Sequence, residues 1–173
     1  ILIIMLLAAS WISLRTTSLP RKTLLLNAVY SIVLGGVTVL LLMTQGVLSL
    51  KPWYSPNYMI PLGGMVFANC MNSISLSAER LESELKQGKP YEKAKVIALR
   101  TSLIPITNML LAVGLVSLPG MMTGQILSGV SPLIAVRYQI MVMCMIFGSS
   151  GISAAVFLHS AKDSFIETKN RFE

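Results

Sequence analysis

The stretch LVSLPGMMTGQILSGVSPLIAVRY, Leu115–Tyr138, decides how this chain is read. It carries Pro119, Gly120, Gly124, Gly129 and Pro132 and no charge before Arg137, so it interrupts a hydrophobic sequence with helix breakers alone. Hydrocarbon tolerates opened backbone only where protein or a water-lined cavity shields the freed polar groups. A broken or re-entrant segment near residues 118–132 is therefore a first candidate for a functional site.

Outward from that break, composition sets the class. The 173 residues are 54% hydrophobic and 12% charged, with a mean hydropathy of +0.71, which describes a chain that partitions into lipid. Several almost charge-free runs reach the ~18 residues that a crossing helix requires, more than a soluble core needs. The expectation is an all-α polytopic membrane protein, a single transmembrane domain over residues 1–173 with about five helices. The net charge of +7 does not point to nucleic acid, because Lys and Arg lie in short loops between apolar runs rather than on one aromatic-interleaved face. Cys70 and Cys144 both fall within apolar runs, with no CxxC or Cys/His grouping, so neither a disulfide framework nor a zinc site is indicated.

Ile1–Leu14 is apolar from its first residue and lacks the leader and cleavage site of a signal peptide, so it reads as a first helix or part of one, with further residues expected ahead of it. The basic turn RTTSLPRK, Arg15–Lys22, belongs on the cytoplasmic side by the positive-inside rule. A second span follows at Thr23–Leu50, where Gly35 and Gly36 permit close helix approach. The loop KPWYSPNY, Lys51–Tyr58, with two prolines and three aromatics, suits the opposite interface. In the third span, Met59–Ser77, Asn69, Ser73 and Ser77 recur at i, i+4 and i+8, a polar face that should turn away from lipid. Interhelical hydrogen bonding and substrate lining both account for such a face, and Asn69 and Asn72 are its cavity candidates.

Residues 79–100, ERLESELKQGKPYEKAKVIALR, hold six basic and four acidic residues and form the one strongly charged segment. Glu82 and Lys86 have the favourable order for an i, i+4 pair, and Gly88 and Pro90 interrupt the helix before a second restarts near Tyr91. This helix, turn, helix is cytoplasmic by its Lys/Arg excess. It is either a solvated connector or a docking surface for a soluble partner. The fourth span, Thr101–Leu118, contains Pro105, expected to kink it, with Thr101, Pro105 and Asn108 on one side. The fifth, Leu133–Leu158, is Met-rich in MVMCMIF and small-residue-rich in GSSGISAA, where Gly148 and Ser149 allow tight packing. The tail, His159–Glu173, with Lys162, Lys169 and Arg171, returns to the cytoplasm. Every Lys/Arg-rich loop then falls on one side of the cell membrane, which supports the multi-pass topology.

Catalytic signatures are missing: the chain has no GxxxxGK[ST], HExxH or GxSxG and no intramembrane Asp or Glu pair, so it reads as no enzyme and as needing no cofactor of its own. Arg137 can snorkel to the interface or pair with a carbonyl in the break, and His159 reads as interfacial. Met121 and Met122 are the one pair worth testing for a soft metal, the other methionines serving as packing; the metal ligands are otherwise unknown.

IPLGGMVFANCMNSISLS (Ile60–Ser77), LIPITN (Leu103–Asn108) and above all VGLVSLPGMMTGQILSGVSPLIAVRYQIMVM (Val113–Met143) resemble the FetB-type (YbbM-like) permease family of ABC transporters, which includes plant aluminium-sensitivity relatives. The resemblance covers nearly the whole chain, and its most specific element is LPGMMTGQ followed by SP and AVRYQ. It implies a membrane subunit that dimerises, pairs with a separate cytoplasmic ATPase holding ATP and Mg, and serves metal-ion homeostasis, notably iron export in bacteria. On that reading Asn69, Asn72, Asn108, Met121, Met122 and Gln125 line or gate the route. Glu82, Glu84, Lys86, Gly88, Pro90, Glu92, Lys93 and Lys95 of the 79–100 coupling segment transmit the ATPase's movement. Gly120, Gly124 and Ser128, at i, i+4 and i+8, present a small-residue face for helix packing or a dimer contact.

Two departures from the family pattern qualify the coupling reading. The family has further hydrophobic helices ahead of the part matching Ile1, and its longer loop with a Gly-Ala-Thr-Pro-like turn is reduced here to KQGKPYEKAKV. A secondary transporter or channel without an ATPase also uses broken helices, although the lack of intramembrane carboxylates argues against proton coupling. A non-transporting membrane scaffold is the third class, in which the polar faces serve packing only.

Overall fold

The computed structural model describes residues 1–19, 21–113 and 118–165, and every element among them is a helix. Six helices follow in order: α1 (Leu2–Ser13), α2 (Arg21–Val47), α3 (Pro56–Lys86), α4 (Tyr91–Ala112), α5 (Gly120–Leu127) and α6 (Pro132–Ser160). Helices α2, α3, α4 and α6 are each long and apolar enough to cross a bilayer, and α1 is a shorter apolar helix. The chain is a polytopic all-α membrane protein, with the short α5 standing between two long helices at the break that the sequence marks.

Proline sets the helix starts. Pro56 and Pro132 occupy the first turns of α3 and α6, where a missing N–H leaves no bond unmade. Pro90 and Pro119 precede α4 and α5 in extended conformation. Glycine provides two of the stops: Gly88 (φ 79°) after α3 and Gly129 (φ 86°) after α5 take the left-handed conformation that side-chain-bearing residues resist.

Two boundaries differ from the sequence expectation. The third span and the first half of the charged segment are one helix, because nothing between Ser77 and Lys86 breaks it; α3 runs for 31 residues, about 46 Å at 1.5 Å per residue against a hydrocarbon core of about 30 Å. Its charged end therefore projects beyond the apolar stretch. Helix α4 likewise begins at Tyr91, well ahead of the apolar run from Thr101. Residues 114–117, where the fourth span is expected to end, and Lys169 and Arg171 of the tail lie outside the described residues.

Inside a bilayer no hydrophobic drive pulls helices together, so close approach of small residues does much of the packing. Ala94, Ala98 and Ser102, at i, i+4 and i+8 of α4, are all buried, and α4 packs along α3. Gly35 and Gly36 lie in a π-helical turn of α2, Val33–Val37, and a second such turn occupies Leu42–Val47. A Cβ on Gly35 would come within 2.6 Å of Ser153 N and 2.9 Å of Ser149 O, so α2 meets α6 backbone to backbone. Gly36 faces Val66, Phe67 and Cys70 of α3. The tight seam on α6 thus falls on Ser149 and Ser153; Gly148 faces open space instead.

Long-range polar contacts gather the charged turns at one end. The hydroxyls of Thr16 and Ser75 are 3.0 Å apart, the Ser18 N–H donates to the Glu82 carboxylate at 3.0 Å, and the Tyr91 hydroxyl donates to Leu158 O at 2.5 Å. By alternation of the long helices, the loop after α2 and the short α5 lie at the opposite end.

Candidate functional site

The elbow between α3 and α4 is built around Glu84. Its side chain is 0% exposed and is held by Arg80 at 2.5 Å and by Lys89 across the bend. A carboxylate persists in such a place only when paired, so Glu84 fixes the chain direction on both sides of Gly88. Glu82, half-buried, accepts from Lys86 Nζ at 2.6 Å, from the Ser18 N–H and from the Ser18 hydroxyl, which ties the elbow to the turn between α1 and α2. Tyr91 ties it to the end of α6 through Leu158 O, while Lys162 stands 5.6 Å above the Tyr91 ring and 3.2 Å from Glu92. Lys86, Gly88, Pro90, Glu92 and Lys93 form the exposed outer surface, and Lys95 is half-buried. The coupling segment read from sequence thus divides into an inner brace, Glu82 and Glu84, and an outer face.

At the other end, the break contains α5. Met122 is buried, Met121 packs partly buried against the core, and the amide oxygen of Gln125 is buried with no hydrogen-bond partner among the described residues. Gly120, Gly124 and Ser128 are exposed, the Ser128 hydroxyl donating to Gly124 O at 2.8 Å. On α3, Ser73 and Ser77 are buried, as the polar-face reading expects, and the Asn69 amide donates to Met65 O of its own helix at 2.8 Å. Asn72 and Asn108 stand exposed on the surface of the chain, and no hydrogen bond among the described residues joins the three asparagines. Arg137 and His159 are exposed. Among the described residues no three His, Cys, Asp or Glu side chains gather as a metal site.

Sequence reasoning passed over Gln139, Ser150 and Ser153 of α6, which are buried and whose side-chain oxygens have no partner among the described residues. A signal existed: the three recur on one face at 100° per residue, a spacing hidden inside a stretch apolar on all sides.

The family described as Uncharacterised protein family (UPF0014) matches the chain over residues 1–166. This chain belongs to the UPF0014 family. A UPF0014 membrane protein of Synechocystis sp. is 42% identical over 69% of this chain and 53% of its own length. The protein described as Probable iron export permease protein FetB of Escherichia coli is 27% identical over 94% of this chain and 67% of its own length. Protein ALUMINUM SENSITIVE 3 of Arabidopsis thaliana is 35% identical over 65% of this chain and 46% of its own length. The chain spans about half the length of the first and third of these relatives. No solved structure matches it. The family match agrees with the resemblance carried by LPGMMTGQ, SP and AVRYQ.

Proposed function

We propose that this chain is the membrane permease subunit of an ABC exporter for a metal ion such as iron, driven by a separate cytoplasmic ATPase that engages the α3–α4 elbow. The observation that carries the reading is the braced elbow. Its outer face is exposed, while its inner bonds reach the α1–α2 turn through Glu82 and the end of α6 through Tyr91, so a push on the outside is delivered to several helices together. Transport needs no chemistry from this chain; ATP and Mg belong to the partner. The metal comes from the kinship with the E. coli iron export permease, and the exposed Gly120, Gly124 and Ser128 face suits contact with a second copy.

The test is to purify the full-length protein, ask whether an ABC ATPase accompanies it, and measure ferrous iron efflux from vesicles holding both, with and without ATP. The expected result is efflux that needs ATP and that is lost when Lys86, Glu92 and Lys93 are charge-reversed together, with folding retained. If no ATPase associates and efflux ignores ATP, an ATPase-independent transporter replaces this reading; if nothing moves, a scaffold does.

A further inference from the structure

The turn from Arg15 to Lys22, between α1 and α2, carries charge that no ion pair balances. Arg15, Arg21 and Lys22 lie within the first 78 residues of the chain, which hold no acidic residue and, besides these three, only Lys51 as a cation. At the elbow the pattern is different, since Arg80, Lys86, Lys89 and Lys162 each pair with a glutamate. Arg15, Arg21 and Lys22 form no such pair among the described residues. Glu82, the carboxylate bonded to this turn, is held by Ser18 and shared with Lys86.

The turn is folded so that its cations meet an aromatic ring. Leu14, Thr17 and Leu19 are buried, Arg15 and Lys22 are exposed, and Arg21 reaches back over α1 with its guanidinium carbon 5.5 Å from the centre of the Trp11 ring. The Arg15 N–H still bonds Ile12 O, so Arg15 continues the winding of α1 and comes to the Trp11 side, four residues on. In the other direction Leu7 and Ile4 extend the stripe from Trp11 at i−4 and i−7, and all three are exposed. On α2, Leu26 and Tyr30 follow Lys22 at i+4 and i+8 and are exposed as well. Each helix thus shows an apolar stripe to the bilayer that ends in a cation at the level of the turn, with Trp11 where an interfacial indole belongs.

We infer that this turn binds an anionic phospholipid of the leaflet it faces, its phosphate against Arg15, Arg21 and Lys22 and one acyl chain along Trp11, Leu7 and Ile4. A guanidinium laid over an aromatic face keeps its N–H edge free for phosphate oxygens and stays charged at any physiological pH. Helix α2 starts at Arg21 with no acid in its first turn, so the partial positive charge of its N-terminus adds to that of the three side chains. A soluble anion would meet the charge and leave the apolar stripe unused. A zwitterionic lipid would cover the stripe and bring its own cation toward the arginines. An anionic lipid satisfies both. The inference stands apart from the transport role and holds whatever this chain moves.

The chain has two tryptophans, so full-length protein with Trp53→Phe keeps Trp11 as the reporter among these residues. It is reconstituted in phosphatidylcholine vesicles containing a rising fraction of either phosphatidylglycerol or phosphatidylcholine brominated near the head of one acyl chain, and quenching of Trp11 fluorescence is measured. The expected result is half-maximal quenching at a mole fraction at least about tenfold lower for the anionic lipid. Arg15→Gln with Lys22→Gln alters exposed positions and leaves the Arg21–Trp11 contact in place; with helix content unchanged, it should bring the two lipids to within about threefold of each other. Soluble glycerol phosphate at millimolar concentration should not relieve the quenching. Equal quenching by the two lipids makes the turn an ordinary boundary surface and overturns the inference, as does a preference that survives the double variant. Relief by glycerol phosphate makes it a site for soluble phosphate, and no quenching by either lipid shows that protein covers the face; each of these also overturns it.

Discussion

At the scale of single residues, one methyl group decides how near α2 and α6 can come. Gly35→Ala sets a Cβ against Ser153 N and Ser149 O, backbone atoms that cannot swing aside, so it should destabilise the protein by about 1–3 kcal/mol, read as earlier thermal unfolding in detergent. Gly148→Ala is the control. A Cβ there meets nothing within 4 Å, and the gain in helix propensity should leave stability unchanged or raised by up to about 1 kcal/mol. The expectation of close approach at Gly35 and Gly36, and at Ser149 on α6, holds, but Gly148, expected beside it, faces open space, because composition marks small residues without saying which way each one faces. The same limit hid Ser150 and Ser153 among the small residues of GSSGISAA.

At the scale of elements, the elbow shows what local sequence can and cannot reveal. Its bend was legible, since Gly88 and Pro90 are residues whose backbone requirements are intrinsic. Gly88→Ala should cost about 1–2 kcal/mol at its φ of 79° and loosen the bend. Limited proteolysis near Lys86–Lys89 would rise in that variant if the bend is held as described. The division of labour between the two kinds of acidic residue was not legible. Glu84→Gln should lower thermal stability clearly, because Arg80 and Lys89 lose the charge that both share, whereas Glu92→Gln breaks only an exposed pair with Lys162 and should shift stability by about 0–1 kcal/mol. Equal losses in the two variants would show that Glu84 has no special place in the elbow. Helix lengths were also misjudged at both sides of the bend, since a helix does not stop where lipid does; only a breaker stops it.

At the scale of the whole molecule, the joining of distant turns at one end is the strongest claim of the fold. Thr16→Cys with Ser75→Cys replaces two hydroxyls 3.0 Å apart and should give an intramolecular disulfide under mild oxidation, seen as a mobility shift reversed by reductant. A pair that stays reduced, or that links only between copies, would contradict the packing of the α1–α2 turn on α3.

The sequence by itself determined the class, the succession of apolar helices, the central break and the sharp bend at Gly88. These follow from hydropathy summed over a window and from the backbone limits of Gly and Pro, which act within a few residues. Only the tertiary structure decided which polar side chains are enclosed: that Asn69 bonds its own helix, that Asn72 and Asn108 look outward, and that the side-chain oxygens of Gln139, Ser150 and Ser153 are buried with no hydrogen-bond partner among the described residues. The reason is physical. Whether a polar atom is satisfied depends on the neighbouring helix across a few ångströms of space, and in a span that is apolar on every side no period in the sequence says which face that neighbour will cover.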